Sequence, residues 1–204
     1  MESGARGMKR IVIATKNEGK LRELAGAMAH LPVEAVPLAE FGELPDAVED
    51  ADTFLGNARI KARFFMERTG CAAIADDSGL EVAALGGMPG VHSARFTGEH
   101  AGDRENNAKL VEELRRVSCE ESEADYRCAL VFVDTDGSEI HAEGRCDGIV
   151  RREARGRGGF GYDPYFYLPD GRAMAELAPE EKDRISHRGR ALRALVQQLE
   201  EYLR

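Results

Sequence analysis

No apolar run in this 204-residue sequence approaches the roughly 20 residues that a membrane span requires. The first ten residues are short, basic and glycine-containing, without the apolar core of a signal peptide. The chain is therefore expected to be soluble and cytoplasmic, with no membrane partner. The four cysteines, Cys71, Cys119, Cys128 and Cys146, form no CxxC pair and show no zinc-ligand spacing. Cys71 and Cys128 sit inside apolar strand patterns and read as buried thiols. There is no excess of positive charge: the formal net charge is −9, which excludes a nucleic acid as partner for the surface as a whole. A small anionic ligand is compatible with that balance where lysine and arginine gather locally. No repeat, low-complexity tract or interdomain linker interrupts the chain, and its length suits one domain with a sizeable core.

What is present centres on Ala75-Asp76-Asp77-Ser78-Gly79. It follows a short apolar run, 71–75, that reads as a buried strand, and Ser78 and Gly79 are expected to turn the chain sharply. Two adjacent carboxylates at the mouth of such a strand are costly to desolvate unless a cation sits beside them. Burial next to Leu80, Val82 and Leu85 would raise one carboxyl's pKa, whereas a divalent ion would keep both ionised.

Taken in order, residues 10–14 form a consecutive apolar strand of the kind covered on both faces. A polar loop from Thr15 to Lys20 follows, then a helix to about residue 29 with Asn17 as its N-cap. A strand that ends in a glycine-containing loop at a helix N-terminus is an anion site: its first amides are unpaired, the dipole is positive, and Lys20 adds a charge. The GxxxxGK[ST] spacing of a Walker loop is absent. Residues 33–37 form a second strand and 38–52 an acidic loop. Thr53 caps a helix over 54–69, with Phe54, Ala58, Ile60, Phe64 and Phe65 inward and Gly70 as its stop. Asn57 and Lys61, four apart, share a face of that helix.

Residues 103–117 form an amphipathic helix. Strands at 126–133 and 138–146 meet across Asp136-Gly137, a hairpin signal, and 148–151 extends the sheet. The glycine-dense segment 155–163 brackets Phe160, Tyr162 and Asp163, which suits a flat heteroaromatic ligand better than a phosphate. Pro179 opens a short helix to Ile185, residues 186–190 interrupt it, and a last helix carries Leu192, Leu195, Val196, Leu199 and Leu203 at core spacing.

Five segments in this order resemble the inosine triphosphate pyrophosphatase family. They are Thr15-x-Asn17-x-x-Lys20, Ala75-Asp76-Asp77-Ser78-Gly79-Leu80, Leu85-Gly86-Gly87-x-Pro89-Gly90-Val91-x-Ser93-Ala94-Arg95, Gly159-Phe160-Gly161-Tyr162-Asp163-Pro164 and Ser186-His187-Arg188-Gly189. The resemblance covers nearly all of residues 10–203 and leaves residues 1–9 as an N-terminal extension to a single domain, 10–204. It implies an α/β fold with an elongated mixed β-sheet flanked by helices, and two lobes with a nucleotide cleft between them. It also implies a homodimer, Mg²⁺ as cofactor, and hydrolysis of non-standard purine nucleoside triphosphates (ITP, dITP, XTP) to the monophosphate and pyrophosphate.

Carried over residue by residue, the resemblance gives Thr15, Lys16, Asn17, Glu18, Gly19 and Lys20 to the triphosphate, with Lys61 assisting. Asp77 matches the proton acceptor and a metal ligand, and Glu49 matches a second metal-binding carboxylate. Ser78 contacts substrate. Phe160, Gly161, Tyr162, Asp163, Lys182, His187 and Arg188 match positions that hold the base.

The chemistry of these residue types agrees. Cleavage between the α- and β-phosphates needs an aimed water and neutralised charge on the leaving pyrophosphate. Mg²⁺ takes oxygen ligands, commonly one or two carboxylates plus substrate phosphates; Glu49, Asp76 and Asp77 can supply them, and the residue types alone leave open whether Asp76 or Asp77 takes the water's proton. A 6-oxo purine presents an acceptor where adenine presents an amino donor, so Lys182, Arg188 and a protonated His187 would favour the former. Guanine, which shares the 6-oxo group, would have to be rejected at its 2-amino group. Two other classes fit less of the chain. A septum-formation inhibitor-like nucleotide pyrophosphatase gives no role to 186–189. A non-catalytic nucleotide-binding module gains nothing from paired aspartates beside a triphosphate.

Overall fold

The computed structural model describes residues 8–99 and 101–204; most of the N-terminal extension, residues 1–7, lies outside them. The elements in order are β1 (Lys9–Ile13), α1 (Glu18–Met28), β2 (Val33–Pro37), α2 (Phe54–Thr69), β3 (Ala72–Val82), α3 (Asp103–Arg116), β4 (Glu121–Val133), β5 (Glu139–Arg151), β6 (Phe166–Tyr167), α4 (Pro179–Ile185) and α5 (His187–Tyr202). The strands hydrogen-bond in the order β2-β1-β3-β4-β5-β6. β1 pairs in parallel with both β2 and β3, and β5 pairs antiparallel with β6, so the sheet is mixed. This is the α/β class with a mixed sheet and helices that the sequence predicts.

The chain divides into two compact units. The first takes the described residues up to Asp76 together with Leu130–Ala142 and Leu192–Arg204; the second takes Asp77–Ala129 and Glu143–Ala191. In the first unit Ile11, Val12 and Ile13 are fully buried, as a central parallel strand requires. Leu24 and Met28 of α1, Ala58, Ala62 and Phe65 of α2, and Leu195 and Leu199 of α5 are buried as well. In the second unit Leu80, Val82, Leu110, Leu114, Tyr126, Val150, Phe166 and Met174 belong to one apolar cluster.

Local signals explain three helix ends. Asn17 caps α1 by accepting from the Lys20 amide, and Thr53 caps α2 by accepting from the Gly56 amide. Gly70 closes α2 in the left-handed region, at φ 66°. The inward face of α2 differs in part from the expected one: Asn57 is buried and its Oδ1 accepts from the Ala51 amide, while Ile60 and Phe64 are only half-buried. Cys128 is buried as expected; Cys71 is half-buried, and all four cysteines are reduced. No helix among the described residues is long and apolar enough to cross a membrane.

Three expectations are corrected. Ser78 and Gly79 do not turn the chain: β3 runs unbroken from Ala72 to Val82 through both aspartates. The sheet overrides local turn propensity there, and the Leu80 amide donates to Ser93 Oγ at 2.9 Å. Residues 148–151 are the end of β5 rather than a separate strand. Residues 186–190 break the helix only at Ser186, whose extended backbone (ψ 157°) ends α4; α5 begins at His187.

Candidate active site

The first unit carries the polar loop between β1 and α1. Its geometry is that of a helix N-terminus held open: the Asn17 amide donates to Thr15 Oγ1 at 3.1 Å, and Asn17 Oδ1 accepts from the Lys20 amide at 3.0 Å. Lys20 and Lys61 are the cations of this region. Lys20 Nζ lies 2.7 Å from Asp76 Oδ2, and Lys61 Nζ lies 3.0 Å from both the Asp76 carbonyl oxygen and Glu49 Oε2. Lys16, by contrast, pairs on the exposed surface with Asp46 at 2.6 Å. The structure therefore brings Asn17, Lys20, Lys61, Glu49 and Asp76 into one linked group, with Thr15, Glu18 and Gly19 on the adjoining loop.

The two aspartates of β3 are not equivalent. The Asp76 side chain is 1% exposed and its charge is met by Lys20. Asp77 is half-buried, and its Oδ1 accepts from the Ser78 amide at 3.1 Å. A buried carboxylate survives only with a partner of this kind, so Asp76 is committed to holding Lys20.

In the second unit the residues from three separate motifs converge. Arg188, buried, donates from Nη2 to Ser78 Oγ at 3.0 Å. Its guanidinium carbon lies 5.4 Å from the centre of the Phe160 ring, and Lys182 Nζ lies 4.3 Å from the same centre. Phe160 itself is 38% exposed, unusual for a large aromatic. Asp163 is buried and acts as a hub: its Oδ2 accepts from Lys182 Nζ at 2.5 Å and from the Phe160 amide at 2.9 Å, and its Oδ1 accepts from the Tyr126 hydroxyl at 3.3 Å.

Tyr126 and His187 stack nearly parallel, with ring centres 4.7 Å apart. Burial, reinforced by the Asp163 charge, pushes the Tyr126 hydroxyl well above the usual tyrosine range, so it remains a donor. Burial and the charge of Asp103 raise Tyr162 likewise; its hydroxyl donates to the Ser93 carbonyl at 2.8 Å. Gly144 of β5 lets α5 lie against the strand. A Cβ there would meet the His187 carbonyl oxygen and come within 2.6 Å of the Ala191 backbone nitrogen.

Ser78, Phe160, Asp163, Lys182 and Arg188 are thus assembled into one group, with His187 placed by Tyr126. Tyr126 had no signal in the sequence beyond its strand pattern, because its role depends on partners 37 and 61 positions away.

Among the described residues no three or more His, Cys, Asp or Glu side chains gather as a metal site. Glu49, in the first unit, pairs with Lys61, and Asp77, in the second, accepts from the Ser78 amide; single carboxylates suit an ion that completes its shell with substrate phosphates and water, as Mg²⁺ does.

Comparisons with known proteins agree with the fold. A model of the Ham1 family matches residues 11–198. A dITP/XTP pyrophosphatase of Geobacillus kaustophilus is 51% identical over 195 residues, which cover 95% of this chain and 96% of the relative. A dITP/XTP pyrophosphatase of Geobacter sulfurreducens is 47% identical over 193 residues, 94% of this chain and 97% of the relative. The structure of a HAM1 protein from Coxiella burnetii superposes with a TM-score of 0.88 at 41% identity, covering 95% of this chain and all of that one.

Proposed function

The chain belongs to the Ham1 family, and we propose that the loop before α1, with Lys20 and Lys61, binds nucleotide phosphates and that the group around Phe160, Lys182 and Arg188 binds a purine base. The activity is hydrolysis of non-standard purine nucleoside triphosphates to the monophosphate and pyrophosphate. The observation that carries this reading is Arg188: one side chain reaches both the Phe160 ring and Ser78, the neighbour of Asp77. Arg188 thereby links the Phe160 ring to the strand position next to the proposed catalytic carboxylate.

In this reading the open amides at the start of α1, with Lys20 and Lys61, neutralise the triphosphate. Asp76 keeps Lys20 in place. Asp77 accepts the proton of the attacking water, a role its neighbour has no freedom to fill while bound to Lys20. Glu49 and Asp77 would hold Mg²⁺, which when bound spreads charge away from the phosphate oxygens. Lys182 and Arg188 donate to a 6-oxo purine edge and leave adenine's amino hydrogens facing donors, an arrangement that discriminates strongly once water is excluded. Phe160 offers a stacking surface. The same reading makes the protein a cytoplasmic homodimer.

The test is product analysis with ITP, XTP, dITP, GTP and ATP, each with and without Mg²⁺. Pyrophosphate release that favours ITP and XTP and needs the metal is the expected result. Equal turnover of ATP would remove the base-recognition account, and binding of ITP without turnover would make the protein a nucleotide-binding module.

A further inference from the structure

The loop that carries Phe160 is held by two side chains that none of the motifs contain. Gly161, at φ 61°, sits in the left-handed region. Its amide donates to Asp103 Oδ2 at 2.7 Å, and its carbonyl accepts from Asn107 Nδ2 at 2.8 Å. Asp103 and Asn107 lie four apart on α3 and so share one helix face, from which they grip both polar groups of a single residue. We propose that Asp103 and Asn107 are positioning residues for base selection, fixing the Phe160–Gly161 segment so that the Phe160 ring stays beside Lys182 and Arg188.

Several features make the clamp specific. Asn107 is buried, 9% exposed, and its Oδ1 has no hydrogen-bond partner among the described residues. Turning the amide over would set two acceptors face to face, so the bond to Gly161 fixes its orientation. The far end of the loop is tied down separately. The Phe160 amide donates to Asp163 Oδ2, the Ala175 amide to the Asp163 carbonyl at 3.2 Å, and the Tyr162 hydroxyl to Ser93. Among the described residues a side chain added at Gly161 would meet nothing within 4 Å, so the clamp, rather than packing, selects this glycine's conformation. Phe160 is exposed and packs too little to hold itself.

This inference rests on the reading that Phe160 contacts the base, and the experiment separates the two. ITP and ATP hydrolysis is measured for Asp103→Ala, Asn107→Ala, Asp103→Asn and Phe160→Ala, with thermal melting of each. The two alanine clamp variants are expected to raise KM for ITP about tenfold, the scale of one hydrogen bond to a charged or buried group. They should leave kcat nearly unchanged and narrow the ITP-to-ATP preference. Asp103→Asn, which keeps an acceptor oxygen, should restore both. Alanine variants that melt lower but keep the wild-type KM and preference would overturn the proposal, as would an Asp103→Asn enzyme no better than Asp103→Ala. Should Phe160→Ala itself leave KM and preference untouched, the base-binding reading of the loop is what fails.

Discussion

Asp76 Oδ2 and Lys20 Nζ meet at 2.7 Å, with the aspartate side chain 1% exposed and the lysine 20%. A buried pair of this kind is costly to break, because removing one partner strands the other's charge. It also makes the paired aspartates a division of labour. One carboxylate, Asp76, holds Lys20; its neighbour Asp77 stays half-buried and closer to solvent.

Asp76→Asn is therefore expected to lower stability by about 2–3 kcal/mol, read as a shift of the urea midpoint. It should also raise KM for the triphosphate, because Lys20 loses its anchor. A variant with wild-type stability and KM would show that the pair has no structural part.

Arg188→Ala removes a donor that reaches both Ser78 and the Phe160 ring. The preference for ITP over ATP in kcat/KM should fall by about 10- to 100-fold, the loss expected when a buried polar contact that favours one base is deleted. Turnover of ATP should change least. An unchanged ratio would place base selection elsewhere.

Asp134, at the end of β4, accepts from Lys9 and, at 2.7 Å, from the Tyr202 hydroxyl. Burial by itself would raise this carboxyl, but the hydrogen bonds from Lys9 and Tyr202 outweigh it and hold the pKa below the usual range. A carboxyl held low stabilises the fold above its unfolded pKa of about 4, and that contribution fades as pH falls through the folded value. Asp134→Asn should thus cost about 1–2 kcal/mol at neutral pH, discounted for the part-exposed Lys9, and progressively less as pH falls below about 4. Urea midpoints of both proteins across pH 2–7 check this; a constant difference at every pH would contradict it.

Much of this was legible from residues close together in sequence. Asn17, Thr53 and Gly70 mark helix ends by local hydrogen bonding and backbone preference, and the structure places them so. The five motifs led to the family. What stayed hidden depends on distant partners. Ser78-Gly79 carries a turn signal, yet β3 runs through it because the sheet and the Ser93 hydroxyl satisfy its backbone. The partners that hold Asp163 were not legible either: Tyr126, the Phe160 amide and Lys182 all engage it. Asp103 and Asn107 read only as the start of an amphipathic helix, since their bond partner lies more than fifty positions away.

The most direct test of the whole account is Asp77→Asn, assayed for both ITP turnover and ITP binding in Mg²⁺. The substitution removes the proposed proton acceptor, which is also a proposed Mg²⁺ ligand, while leaving Asp76, Lys20 and the Arg188–Phe160–Lys182 group in place. Turnover should fall by about 10²–10⁴-fold, the usual scale for loss of a general base, while ITP still binds with a preference over ATP. Turnover within a few-fold of the wild type would contradict the assignment of Asp77 and return the chemistry to another group.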